Sequence, residues 1–337
     1  MRALLTAIVA ALVLVPVSGG AASRMQGGFT FESPAWSPDG AHVAWGELPL
    51  GSGSPARIWT ANADGSDAAQ LIGGLRNGLF EIVWTAPDTL LYDANFDVRL
   101  ARLDGTHTTI LRAVGSTFTS DAHGTLVASA YDRAPGPLLL ASTATRERTR
   151  IGGGRNTSNG DPTLSPDGAH IAFDHADYDP KTGQVSNGGL FVARANGAGM
   201  RRILRGGGCA EWSPRGEEIA FLTPETRGES LRVTRPDGSH ERVVVAQGPV
   251  CSVPQSFAWS PDGTRIAYVA GSWGRLTVVD VAGGKTTPVR AFASVTGVEW
   301  SPDSRRLLVT ARPRVGACSS LWTVGADGKG AALVRRC

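Results

Sequence analysis

Short runs that alternate apolar and polar residues dominate the chain, each lasting strand length and each cut by a turn signal. One block recurs. It reads Trp36-Ser-Pro-Asp-Gly40-Ala-His-Val-Ala-Trp45, then Leu164-Ser-Pro-Asp-Gly168-Ala-His-Ile-Ala-Phe173. It returns at Trp212 to Phe221, at Trp259 to Tyr268 and at Trp300 to Val309. Weaker copies, Trp84 to Tyr92 and Thr119 to Ala128, fill the long gap. Within a block, Pro presets φ for a turn, Asp accepts backbone hydrogen bonds and Gly tolerates positive φ. The flanking aromatic and β-branched residues suit a buried pleated surface. A second turn signal, Asp-Gly between strand-like runs, follows at Asp64-Gly65, Asp104-Gly105, Asp237-Gly238 and Asp327-Gly328. Each repeat therefore predicts strand, Pro-Asp-Gly turn, strand, variable loop, strand, Asp-Gly turn, strand.

Successive copies lie roughly 36 to 48 residues apart, the period of a four-stranded propeller blade. The expected fold is all-β, a β-propeller of four-stranded antiparallel blades. Seven blades are favoured, with six if the copy near Ser120 does not complete one. Phe29 to Phe31 are expected to add an extra edge strand that helps close the ring. The block resembles the repeat of the TolB-like propellers, relatives of the WD-repeat propellers, over about residues 33 to 337. Few residues precede the first repeat, so the N-terminal domain that TolB itself carries is expected to be missing. The resemblance implies that ligand and partner sites lie at the mouth of the central channel, or on the rim carrying the variable and interblade loops.

The N-terminus departs from the strand pattern. Arg2 precedes an apolar stretch from Leu4 to Val17, and small residues Gly19 to Ser23 follow. Residues 1–23 thus read as a cleaved signal peptide, leaving 24–337 as a single propeller domain, secreted or periplasmic, with no membrane span in the mature chain. A net charge of +3, with basic and acidic residues interspersed, makes no case for nucleic acid.

Four cysteines in an exported chain favour disulfides. Cys318 and Cys337 flank the last hairpin. A two-residue Asp327-Gly328 turn would place Ala326 opposite Lys329 and Cys318 opposite Cys337. Cys209 and Cys251 precede successive repeats, in expected interblade loops. Of the three connectivities, 209–251 with 318–337 is favoured.

Catalytic constellations are sparse. There is no Gly-x-Ser-x-Gly elbow, no phosphate-binding loop and no His-Glu-x-x-His. His42, His107, His123, His170 and His240 all fall at turns of separate blades. His175 is the exception, in an expected long loop with Asp174, Asp177, Tyr178 and Asp179. Those three carboxylates leave calcium open as a ligand, although the Gly and distal Glu of an EF-hand are absent; no other cofactor is called for. With Arg76, Arg155 and Asp161 they make the expected binding rim. The leading expectation is a non-enzymatic, monomeric scaffold for a protein or polysaccharide at the cell envelope. The alternative is a hydrolase or lyase acting on a carbohydrate or lactone, using Asp161, Asp174, His175, Asp177 and Asp179 at the channel mouth.

Overall fold

The computed structural model describes residues 29–49, 55–75, 81–112, 114–131, 136–154, 156–225, 228–251, 257–270 and 274–337. The expected signal peptide lies outside them. Seven four-stranded antiparallel sheets follow one another along the chain. They span 29–75, 82–111, 114–151, 157–204, 208–245, 257–288 and 294–335, and are called blades 1 to 7. Within each blade the strands pair in chain order. The first strand of each is innermost. That of blade 1, Phe29–Trp36, touches Ile82–Ala86 of blade 2 on one side and Ser294–Trp300 of blade 7 on the other, which closes the ring. The copy near Ser120 does form a full blade, so the ring has seven.

The recurring turn shows why Ser belongs in the block. Ser37 Oγ donates to Asp39 Oδ1 at 2.6 Å while accepting the His42 amide at 2.8 Å. Asp39 Oδ1 accepts the Ala41 amide, and Gly40 adopts φ 71°. Ser165, Ser260 and Ser301 repeat this arrangement. In blade 3 Asp121 replaces the serine and accepts the Thr125 and Leu126 amides directly. The Ser37, Gly40, Ala41 and His42 amides thus each have an acceptor within the turn, which lets it pack against the next blade.

The core lies between blades. Across the closing seam Phe31, Trp36, Val43 and Trp45 of blade 1 pack on Leu308 and Leu321 of blade 7. No strand is exchanged there. Phe29 to Phe31 are the start of blade 1's own inner strand, not an added edge strand, because Phe29 pairs with Pro49 and Phe31 with Glu47. Side-chain packing and stacking of Arg306 on Trp36 and Arg335 on Trp59 hold the seam instead.

Both expected disulfides form, with Cα–Cα distances of 5.6 Å for Cys209–Cys251 and 6.1 Å for Cys318–Cys337. Their settings differ from expectation. Cys209 sits within the strand Gly208–Trp212 rather than in a loop. The last hairpin turns through three residues, Gly325 bonding Lys329, and a register shift follows between Leu321 and Trp322. Cys318 and Cys337 therefore bond from beyond the strand ends.

Candidate functional site

The inner strands carry a shared irregularity that shapes the channel. In blade 1 the pairing slips between Glu32 and Ala35, in blade 4 between Gly160 and Thr163, and in blade 5 between Gly208 and Glu211. Each slip inserts one extra residue, with a left-handed residue at the bulge: Ser33, Asp161 and Cys209, at φ 48°, 42° and 50°. A bulge bends its strand and re-aims the neighbouring side chains. The bulged residue stands three before the first residue of the turn block (Trp36, Leu164 and Trp212), so all three bulges lie at one height in the ring.

Carboxylates collect at and beside this level. Glu211 and Glu299 each directly precede the block's Trp; Glu81 stands three residues before Trp84. They belong to blades 5, 7 and 2. Glu81 and Glu211 are three blades apart, yet Glu211 feels the negative charge of both Glu81 and Glu299, so the three face one another across the bore. Each is half-buried. Burial pushes the Glu81 carboxyl up to about 8, aided by the charges of Asp93 and Glu299 and opposed by the Phe118 amide, which donates to its Oε2 at 3.2 Å. Burial likewise lifts Glu299 to about 7 and raises Glu211 well above the usual carboxylate range. Glu32 is raised by burial and then by Asp93, whose Oδ1 accepts the Glu81 amide at 2.7 Å. No lysine or arginine among the described residues offsets any of these shifts.

A second acidic pair lines blade 4. Asp161, on the bulge, is wet on one side, and its carboxyl is raised by desolvation. Asp174 is raised well above the usual range, first by burial and then by Asp161. Its Oδ1 has no accessible surface and no hydrogen-bond partner. Its Oδ2 leans toward Gly208, where a side-chain carbon would sit only 3.0 Å away. Asp161 also approaches the sulfurs of Cys209 and Cys251, but the disulfide removes them as metal ligands.

The residues expected on the rim are therefore split. The expected loop from Asp174 is mostly strand: His170–Tyr178 and Val185–Arg194 form an extended hairpin. Strand alternation sends Asp174 to one face and His175 with Asp177 to the other. His175 is 7% exposed, with Nδ1 2.8 Å from Asn159 Oδ1 and Nε2 3.2 Å from Asp177 Oδ1. The Asn159 amide donates to the Gly136 carbonyl at 2.7 Å, so His175 braces blade 4 against the end of blade 3 rather than facing substrate. Asp179 caps its own turn by accepting the Lys181 and Thr182 amides. Tyr178 is exposed near the hairpin tip. Among the described residues Asp174, Asp177 and Asp179 do not converge into a cluster that could share one ion. Arg76 and Arg155 lie outside the described residues. The bore glutamates were missed; their one signal is a glutamate directly before the block's Trp in the strands Gly208–Trp212 and Ser294–Trp300, and one just before the strand Ile82–Ala86.

The opposite rim holds a crevice of about 370 Å³ lined by Asp167, His170, Arg201, Trp212 and Arg215. There Arg201 is already committed to the Pro236 and Asp237 carbonyls.

No protein-family model matches the chain. Over 100 residues it is 31% identical to the Tol-Pal system protein TolB of Gluconobacter oxydans, a match covering 28% of this chain and 22% of that protein. Among solved structures, oligogalacturonate lyase from Vibrio parahaemolyticus superposes with a TM-score of 0.65 at 12% identity, covering 88% of this chain and 90% of the lyase. TolB from Acinetobacter baumannii gives a TM-score of 0.51 at 14% identity, over 86% and 79%. At these identities the structural likenesses establish the fold alone.

Proposed function

Taking a TolB-like seven-bladed propeller as premise, we propose that this is an exported, non-enzymatic binding module that receives a protein partner at the mouth of its channel. The observation carrying this reading is the group of half-buried carboxyls Glu81, Glu211 and Glu299, close enough to feel one another's charge, with no lysine or arginine among the described residues offsetting them. Burying carboxyls without a cationic partner is costly, and groups with such perturbed pKa values cluster at functional sites. The two disulfides and the resemblance to an envelope protein support a place outside the cytoplasm. No helix among the described residues is long and apolar enough to cross a membrane.

A lyase or hydrolase reading draws on the fold likeness to oligogalacturonate lyase and on carboxyls with raised pKa, the property a general acid needs. That likeness, at 12% identity, establishes the fold alone.

The test is cross-linked capture from the native exterior fraction, with residues 24–337 as bait beside a Glu81→Gln/Glu211→Gln/Glu299→Gln variant and a turn-rim control, Asp237→Asn. A protein captured by the wild type and the control, and lost from the bore variant, supports the reading. Capture that ignores the bore, or turnover of oligogalacturonate by the wild type with and without manganese, overturns it.

A further inference from the structure

We propose that Cys209, Cys251, Asp161 and Asp174 form a zinc site once the Cys209–Cys251 disulfide is reduced, a redox-gated metal site where blades 4 and 5 meet. It goes beyond the reading of the channel as a partner site and does not depend on it.

Geometry brings the donors together. A carboxylate oxygen of Asp161 and the sulfurs of Cys209 and Cys251 all lie within 4.8 Å of one another. Asp174 approaches from the other side of Gly208. A side-chain carbon on that glycine would lie 3.0 Å from Asp174 Oδ2 and 3.8 Å from Cys251 Sγ. The backbone of Gly208 is not left-handed, so its conformation does not demand glycine. A side chain there would instead fill the space between a carboxylate and a sulfur. Asp174 Oδ1 is enclosed and has no hydrogen-bond partner, an acceptor whose desolvation is unmet. Two thiolates and two carboxylate oxygens make a tetrahedral donor set for Zn²⁺, and soft sulfur selects zinc over calcium or magnesium.

The sulfurs stay in place when the bond between them is broken. Cys209 is held in the strand Gly208–Trp212. Two hydrogen bonds tie the Cys251 segment to Glu229: the Cys251 amide donates to its Oε2 at 2.5 Å, and the Gly248 amide to its carbonyl at 2.7 Å. The two cysteine Cα atoms are 5.6 Å apart. Side-chain rotation then suffices to open the sulfurs to the roughly 3.8 Å spanned by two Zn–S bonds of about 2.3 Å at a tetrahedral angle. Asp161 is exposed, which gives a reductant and the ion a way in. In the step itself a dithiol donates two electrons and two protons to the Sγ–Sγ bond and leaves as a disulfide. The two thiols formed bind zinc as thiolates and release two protons.

The experiment treats the folded chain with dithiothreitol, removes the excess, and measures zinc by elemental analysis. Cobalt(II) in place of zinc gives a second readout, the sulfur-to-cobalt charge-transfer band. One ion per reduced chain and none per oxidised chain are expected. Zinc should slow alkylation of Cys209 and Cys251 at least about tenfold, because a coordinated thiolate is no longer a free nucleophile. Cys318 and Cys337 should react as fast as without it. Asp161→Asn and Asp174→Asn should each weaken zinc binding at least about tenfold, while Asp237→Asn leaves it unchanged. A reduced chain without the charge-transfer band overturns the proposal, as does equal uptake by the oxidised chain. Affinity unchanged in either of the first two aspartate variants, or protection of Cys318 and Cys337 instead, also overturns it. Should the reduced chain unfold, zinc must restore its strand signal in circular dichroism. A chain that stays unfolded with zinc present overturns the proposal as well.

Discussion

Replacing Glu81 by Gln should stabilise the propeller at alkaline pH and leave it unchanged at acid pH. The Glu81 carboxyl is raised from 4.5 to about 8, first by burial and then by Asp93 and Glu299. Below pH 4.5 it is protonated both folded and unfolded and contributes nothing to pH dependence. Between 4.5 and 8 the unfolded chain ionises first, so the folded state holds the extra proton and stability falls as pH rises. The full span corresponds to about 5 kcal/mol, at 1.36 kcal/mol for each pH unit. Glu211 and Glu299 titrate in the same bore, and a proton on Glu299 relieves part of the repulsion. The expected gain for Glu81→Gln at pH 9 is therefore between about 2 and 5 kcal/mol. The amide oxygen of Gln can still accept the Phe118 amide, so the change removes charge without removing that bond. In a domain of this size the gain is a rise of roughly 4 to 10 °C in melting temperature. The assay is thermal melting of both chains from pH 4 to pH 9, read as the difference between the two curves. Parallel curves would refute the reasoning, because they would mean that Glu81 ionises in the fold as readily as in the open chain.

Ser260→Ala removes an Oγ that contacts Asp262, the Arg265 amide and the Arg265 carbonyl; leaving that amide unmet should cost about 1–3 kcal/mol in chemical denaturation. Gly65 has φ 88°, and a side-chain carbon there would lie 2.6 Å from the Val334 carbonyl of the facing blade. Gly65→Ala should therefore loosen the closing seam by at least about 1–2 kcal/mol, seen as faster amide exchange in blades 1 and 7. Replacing Cys209 and Cys251 together by Ser should cost about 2–4 kcal/mol, measured by melting against the intact disulfide. A variant as stable as the parent would show that the bond does not constrain the chain.

The sequence alone determined the blade. Pro, Asp and Gly at fixed offsets dictate a reversal, and alternation with period two dictates strands, because both are local properties of a few neighbouring residues. Seven such units, spaced at one blade period, leave little freedom in architecture, so even the degenerate copies at Trp84 and Ser120 could be placed. The cysteine pairing was readable for the same reason. The site was not. Asp174 and His175 are adjacent in sequence, yet one is buried beside Asp161 and the other forms a structural brace, because the hairpin continues as strand beyond the expected loop. Glu81, Glu211 and Glu299 are far apart along the chain, and only closure of the ring brings three blades' inner strands around one axis. Their raised pKa values come from burial, with neighbouring carboxylate charge adding to it at Glu81 and Glu211. Both are properties of the assembled ring that no single repeat contains, which is why the fold was legible in the sequence and the bore was not.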